Sequence, residues 1–307
     1  MKVSIIVAVY NEAATVGTLL ERVWDQPLPG IDKEIIVVES NSNDGSRAIV
    51  EAFVAKHRAE PAIQVHAIYE DRARGKGHAV RRAFAAASGD ILLIQDADLE
   101  YDVADYAELL EPIIAGRCAF VLGSRHMGAN GWKIRQFGNA GPTCWLMNVG
   151  GALFHAFFNW VFASRLTDPT SMFKVFRADC LNGLEFTCER FDFDYELLGK
   201  LMRSGFKPLE IPVSYRSRGF DEGKKIRILK DPLTWVLAIL RCRFSRLRRL
   251  HPLGEDDGAR LGQPADSMVE GVGLPFGVLM VDKNRGTPGS NPGLHVPPTI
   301  ADHEAQC

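Results

Sequence analysis

Short apolar runs alternate with segments of helical spacing from the N-terminus to about Gly123. Residues 3–9 predict a strand. Residues 12–24 predict a helix, with Val16, Leu19, Leu20 and Val23 on one face. Residues 34–38 predict a second strand, 46–57 a second helix and 63–68 a third, weaker strand. A helix over 78–87, ended by Ser88-Gly89, leads into a strand over 90–95. A helix over 103–115 and a strand over 119–123 follow. Repeated strand–helix units with apolar strands imply an α/β fold, a mostly parallel sheet covered by helices on both faces. Ligands of such sheets sit at the carboxyl ends of the strands.

Two later segments break this rhythm. Residues 145–163 are almost wholly apolar and uncharged, with a length near that of a membrane span. Asn148, His155 and Asn159 fall on one helical face. The expectation is therefore a helix lying against the protein and dipping into a membrane interface, with a buried core helix as the alternative. Asp231-Pro232 then starts a helix in which Leu233, Leu237, Leu240, Phe244 and Leu247 form a stripe. Arg241, Arg243, Arg246, Arg248 and Arg249 cluster at its end. Over 231–250 this reads as a basic amphipathic element at a membrane surface, or as a solvated basic face. A strand over 209–215 and a helix over 196–203 precede it. Residues 251–307, rich in Gly, Pro, Asn and Asp, read as a flexible tail.

Composition adds exclusions. A net charge of −2 over 307 residues gives no pull toward nucleic acid. The 6 cysteines form no CxxC, so neither a zinc site nor a disulfide framework is expected, and a reducing cytoplasm fits. No signal peptide is expected before the strand at 3–9.

The chemistry-bearing residues follow the strands: Tyr10-Asn11-Glu12, the stretch 39–44, Asp96-Ala97-Asp98 and Gly123-Ser124-Arg125. Asp96 and Asp98, one residue apart at a strand end, can face one point and repel unless a cation lies between them. Magnesium and similar hard cations take one or two carboxylates plus substrate phosphates. Gly75-Lys76-Gly77 precedes a helix; its glycines allow close backbone approach, and Lys76 can reach an anion. The basic stretch 216–225 can close over a diphosphate. Asp192 and Asp194 are candidates for a general base or a helix cap, with capping preferred for Asp194. His78, His126 and His155 read as unclustered structural residues.

These motifs, with 167–174 and the Arg218–Lys224 spacing, occur in the order used by family 2 glycosyltransferases. Over about residues 1–230 the chain resembles the dolichol-phosphate mannosyltransferase-like, polyprenyl-phosphate branch. The resemblance implies a GT-A, Rossmann-like fold and a domain spanning 1–230. It implies nucleoside contacts at Ala8 (where the family usually has proline), Tyr10, Glu12, Val38 and Ser40. Asp96 and Ala97 are expected on the diphosphate side, with Asp98 and Asp96 on a divalent metal, Mg²⁺ or Mn²⁺. Arg125, Arg218 and Lys224 are the expected catalytic cations, together with Asp96, and Lys76 assists. The sequence departs from the family where Asp-Asp-Gly-Ser becomes Glu39-Ser40-Asn41-Ser42, which removes an acid that reads a base or ribose group. Some members carry a transmembrane C-terminus, and none is expected here.

The implied activity is inverting transfer of a hexose from a nucleoside diphosphate sugar to a polyprenyl phosphate. The implied location is cytoplasmic and peripheral to a membrane, and a homo-oligomer is compatible with it. Two alternatives stand beside it: transfer to a hydroxyl acceptor, with Asp192 or Asp194 as base, and a degenerate nucleotide-sugar-binding module.

Overall fold

A computed structural model describes residues 1–60, 62–127, 141–218 and 231–245. Within them, seven strands form one sheet in the order β3-β2-β1-β4-β6-β5-β7. The strands are β1 (Lys2–Val9), β2 (Asp32–Glu39), β3 (Ile63–Tyr69), β4 (Ile91–Asp96), β5 (Phe120–Ser124), β6 (Lys174–Arg177) and β7 (Leu209–Pro212). β6 runs antiparallel between β4 and β5, and the other pairings are parallel. The sequence reading did not anticipate β6. Its four residues begin with a lysine, yet Lys174 is fully buried.

The helices are α1 (Val16–Asp25), α2 (Ser46–His57), α3 (Lys76–Ala86), α4 (Tyr106–Ile114), α5 (Gly141–Phe162), α6 (Phe193–Arg203) and α7 (Asp231–Phe244). Both sheet faces are covered, which is why the central strands read as unbroken apolar runs. Val3, Ile5 and Val7 pack toward Leu19 and Leu20 of α1, Val50 of α2 and Leu109 of α4. Ile6, Ile36 and Ile94 face Val80 of α3, Phe158 of α5, Leu197 of α6 and Ile239 of α7.

Two buried charges hold the framework together. Lys33 Nζ donates to the carbonyls of Val23, Trp24 and Gln26, at 2.9, 2.6 and 2.8 Å, and so closes the C-terminus of α1. Glu34 lies at the end of the sheet remote from the motifs. It pairs with Lys2 Nζ at 2.8 Å and accepts from the Ser4 hydroxyl and from the Ser88 amide and hydroxyl, both at 2.7 Å. The start of β1, the start of β2 and the turn before β4 are thereby tied together.

Several boundaries differ from expectation for local reasons. α1 begins at Val16 rather than Glu12, because Asn11 takes a left-handed φ of 51° and turns the chain. A short 3₁₀ turn, Val103–Asp105, precedes α4 and is capped by Asp102, which accepts from the Ala104 amide at 3.1 Å. β7 stops at Pro212, which has no amide to donate. Beyond it, Tyr215 bridges to Tyr101.

α5 has one buried face, with Asn148 and His155, and one open face. Trp145, Leu153 (68% exposed) and Trp160 (78% exposed) stand on the open side at spacings of about two turns. α7 packs against α5 and α6. Its predicted stripe faces outward, with Leu233, Leu237 and Phe244 exposed. Among the described residues no helix is long and apolar enough to cross a membrane. Contacts divide the chain into Met1–Gly254 and Glu255–Cys307, so α7 belongs with the sheet. The predicted tail, Leu247 and Arg246, Arg248 and Arg249 lie outside the described residues.

Candidate active site

The carboxyl ends of β1, β2, β4 and β5 open into a cleft of about 950 Å³. Ala8, Tyr10, Glu12, Ser40, Lys76, Asp96, Ala97, Asp98, Arg125 and Arg218 all line it, so most of the predicted site residues meet in one place. Val38 does not reach it. Its side chain is fully buried in the core between sheet and helices. Lys224 lies outside the described residues.

Every acid of the central cleft has a cation beside it. Lys76 Nζ donates to Asp96 Oδ1. Arg218 bridges Glu12 at 2.9 Å and Asp98 at 2.7 Å, and its Nε lies 3.7 Å from Glu100. Burial pushes the Asp98 carboxyl up to about 7, helped by the charges of Asp96 and Glu100 and opposed by Arg218. Burial works against the Lys76 ammonium, but Asp96 and Asp194 more than offset it and its pKa lies above the usual value. These crowded oxygens fit a hard divalent cation, whose charge would relieve the repulsion that lifts Asp98.

Glu100 gives the site a clamp that the sequence did not reveal. It accepts from the Arg218 amide at 2.8 Å and the Tyr215 hydroxyl at 2.7 Å, and its carbonyl accepts from the Arg216 amide at 2.8 Å. The segment after β7 is thereby held over the end of β4. Arg125 is held as firmly. Asp168 accepts from its Nε at 2.7 Å and Nη2 at 2.8 Å, and Thr170 accepts from Nη2 at 2.6 Å. Arg125 also lies over the Tyr215 ring, 5.0 Å from the centroid. Burial disfavours the Asp168 carboxylate, yet Arg125 more than offsets it and holds the carboxyl far below the usual range.

Gly75 and Gly77 also meet a neighbouring segment of the protein closely. A Cβ on Gly77 would sit 2.5 Å from Phe193 Cβ and 2.6 Å from the Cys188 carbonyl oxygen, and one on Gly75 2.4 Å from the Glu189 carbonyl oxygen. This close approach is to the segment leading into α6. It seats the start of α3 so that Lys76 reaches Asp96.

Two readings are corrected. Asp194 does not cap α6. Asp192 occupies the N-cap position, and Asp194 lies one residue inside the helix, where its buried carboxyl makes no side-chain hydrogen bond among the described residues. Burial raises its pKa against the opposing pull of Lys76 and Lys174, and it lines the cleft. The histidines are not scattered. His126 and His155 meet edge to face, 5.0 Å between centroids, with ligand atoms within 4.8 Å of each other and of Asp168. That trio has metal-ligand chemistry, but Arg125 already occupies both Asp168 oxygens. The oxygen-rich Asp96–Asp98 end suits Mg²⁺ or Mn²⁺ better.

A family model described as Glycosyl transferase family 2 matches residues 4–162. The chain is 29% identical over 224 residues to a dolichol-phosphate mannosyltransferase of Pyrococcus furiosus, covering 73% of this chain and 59% of the relative. It is 27% identical over 247 residues to the glycosyltransferase AglD of Haloferax volcanii, covering 78% of this chain and 37% of the relative. The chain thus spans under two thirds of the length of either. Among solved structures it resembles glucosyl-3-phosphoglycerate synthase of Mycobacterium tuberculosis in complex with Mn²⁺, UDP and glucosyl-3-phosphoglycerate. The TM-score is 0.54 at 21% identity, with 79% of each chain covered. That likeness shows a GT-A-like α/β fold.

Proposed function

Because the chain belongs to glycosyl transferase family 2, we propose that it moves a hexose from a nucleoside diphosphate sugar to a polyprenyl phosphate, inverting the anomeric carbon. The observation that carries this reading is the two-sided cleft. One end holds Lys76, Asp96, Asp98 and Arg218; the other is walled by Leu146, Met147 and Phe154 of α5 and Trp235 of α7. The apolar wall continues onto the open faces of both helices, where Trp160 and Phe244 stand exposed. A charged end beside an apolar lip suits an acceptor with a phosphate head and a hydrocarbon tail. The relatives named for dolichol-phosphate mannosyl transfer and for dolichyl-phosphate β-glucosyl transfer support the same acceptor class.

In this mechanism Lys76 and Arg218 turn from their carboxylates toward the departing diphosphate. Arg125, fixed by Asp168 and Thr170, presents its positive charge at the acceptor side without having to reorganise. Asp98 and Asp96 would hold a divalent metal, which would supply further neutralisation of the leaving group. An acceptor phosphate is an anion at neutral pH and attacks without a general base. The outward faces of α5 and α7 rest on the membrane, with Arg241 and Arg243 toward anionic head groups, so association is peripheral and on the cytoplasmic side.

One observation favours a second reading. Asp194, buried at the cleft with its pKa raised, is placed to take a proton from a hydroxyl acceptor. Transfer assays with polyprenyl phosphate in anionic vesicles, and with soluble sugar acceptors, separate the two. The proposal expects lipid-linked product, and expects Leu153→Ser with Trp160→Ser to weaken transfer in vesicles more than in detergent. Product on hydroxyls alone, abolished by Asp194→Asn, would overturn it.

A further inference from the structure

An arginine side chain carries five N–H donors in a fixed fork. In Arg125, Nε donates to Asp168 Oδ2 at 2.7 Å. Nη2 divides its hydrogens between Asp168 Oδ1 at 2.8 Å and the Thr170 hydroxyl at 2.6 Å. The Nη1 hydrogens meet no acceptor among the described residues, and Arg125 lines the cleft. The guanidinium thus offers one edge to a ligand, and whatever grips Nε and Nη2 aims that edge.

Thr170 is the adjustable half of the grip, because its hydroxyl rotates. Besides Arg125 Nη2, its Oγ1 lies 2.9 Å from Asp168 Oδ1 and 3.0 Å from His155 Nε2. A carboxylate oxygen only accepts, so the hydroxyl proton goes to Asp168; otherwise two bare oxygens would face each other at 2.9 Å. The hydroxyl lone pairs then receive Arg125 Nη2 from one side and His155 Nε2 from the other, and Nε2 carries a hydrogen. Asp168 Oδ1, 3.7 Å from Nε2, favours the same arrangement. His155 is buried and is not among the residues that line the cleft. It belongs to α5, the helix whose open side carries Leu153 and Trp160.

We infer that His155 is a positioning residue for the acceptor: its Nε2–H holds the Thr170 hydroxyl in the orientation that accepts from Arg125, and so aims the Nη1 edge at the acceptor phosphate. Without a donor on that side the hydroxyl turns, its lone pair leaves Nη2, and the guanidinium pivots on Asp168. His155 touches neither donor nor acceptor and acts through Thr170. The inference rests on the acceptor-phosphate reading and deepens it by naming the side chain through which α5 governs acceptor affinity.

The test is steady-state transfer by the full chain to polyprenyl phosphate in anionic vesicles, with the UDP- or GDP-hexose that the unaltered chain turns over. His155→Phe keeps a ring against His126 and removes the donor. The KM for the lipid should rise about fivefold, the size of one net hydrogen bond. Both kcat and calorimetric nucleotide affinity should stay within about twofold. His155→Gln, whose amide reaches about as far as Nε2, should restore the KM. Combining His155→Phe with Thr170→Val should be no worse than Thr170→Val alone, because the histidine acts through the hydroxyl. A histidine with a merely structural role would lower nucleotide affinity along with acceptor affinity, and its effect would add to that of Thr170→Val. Should His155→Phe fail to fold, by its melting curve, His155→Gln and His155→Asn decide: the Asn amide reaches only as far as Nδ1, so Asn alone should raise the KM. An unchanged KM in His155→Phe, additive effects, or equal KM values for Gln and Asn overturn the inference while sparing the acceptor reading. Absence of lipid-linked product from the unaltered chain overturns both.

Discussion

Replacing Arg218 by methionine keeps roughly the length of the side chain and removes a charge that reaches Glu12, Asp98 and Glu100. At 2.7 Å and an effective dielectric of about 20, its attraction to Asp98 alone is on the order of 6 kcal/mol before desolvation is subtracted. Removing one partner of a buried pair typically leaves a net cost of about 3–5 kcal/mol. Both side chains keep 14% of their exposure, which places this pair near the lower bound, at about 3 kcal/mol. Burial disfavours the guanidinium, and Asp98, Glu12 and Glu100 more than offset it. The three acids therefore lose more from the substitution than the arginine's burial gives back.

The same electrostatics predicts a gain elsewhere. With Arg218 gone, Asp98 loses the cation that lies 2.7 Å from it, so nucleotide-free Arg218→Met should bind Mn²⁺ at least about tenfold tighter than the unaltered chain, roughly 1.4 kcal/mol. Free metal at about a hundred times its dissociation constant restores about 2.7 kcal/mol of stability. Turnover should fall by about 10²–10³, as when one preorganised charge is taken from a transition state. Urea unfolding with and without Mn²⁺, together with calorimetric Mn²⁺ titration, measures all but the turnover. Equal destabilisation in both conditions, or weakened Mn²⁺ binding, would refute the reasoning, because it would place Arg218 outside the metal's field.

Two further predictions address the framework. Gly77→Ala drives a methyl into Phe193 and the Cys188 carbonyl, so stability should fall by about 1–3 kcal/mol by urea unfolding, and nucleotide affinity should fall with it as Lys76 is displaced. For Glu34, burial raises the pKa, but the bonds from Lys2, Ser4 and Ser88 more than offset it and hold it at about 2 against 4.5 unfolded. A depressed carboxyl stabilises above the unfolded value and loses that contribution as pH falls, so about 3 kcal/mol should disappear between roughly pH 4.5 and pH 2. Glu34→Gln should be less stable at pH 6 and show a flatter acid limb; an unchanged limb would count against it.

What the sequence revealed, and what it hid, follows from where each partner lies along the chain. Asp96 and Asp98 were legible because an apolar strand points at them, and local periodicity is enough to place a strand end. Ala8, Tyr10, Glu12, Ser40 and Arg125 were legible for the same reason. Glu100 escaped because its partners, Tyr215, Arg216 and Arg218, lie more than a hundred residues away and no period links them. β6 escaped because Lys174 reads as solvent-facing, whereas its Nζ donates to the Ser171 carbonyl and faces Asp194 in the interior. His126 and His155 looked scattered because α5 folds back to bring them together. Asp194 looked like a cap because Asp192 and Asp194 stand two residues apart at the start of α6, and only the interior charges of Lys76 and Lys174 facing Asp194 separate them.

The resting charges of the cleft have a consequence for how it works. Lys76 is committed to Asp96, Arg218 to Glu12 and Asp98, and Arg125 to Asp168. A diphosphate arriving alone would have to draw Lys76 and Arg218 away and leave buried carboxylates uncompensated, at a cost of several kcal/mol. A divalent cation arriving alone would meet carboxylates already neutralised by those two side chains. If both arrive together, Asp96 and Asp98 would hold the metal while Lys76 and Arg218 turn to the phosphates, so that the buried carboxylates keep a compensating charge. Under the proposed function, donor and metal binding would be coupled by these ion pairs, and linkage would make the coupling reciprocal, each tightening the other by the same factor. Arg125 is not part of this exchange. Asp168 holds it through bonds to Nε and Nη2 and Tyr215 flanks it, so under the proposed function its charge would stay fixed while Lys76 and Arg218 move.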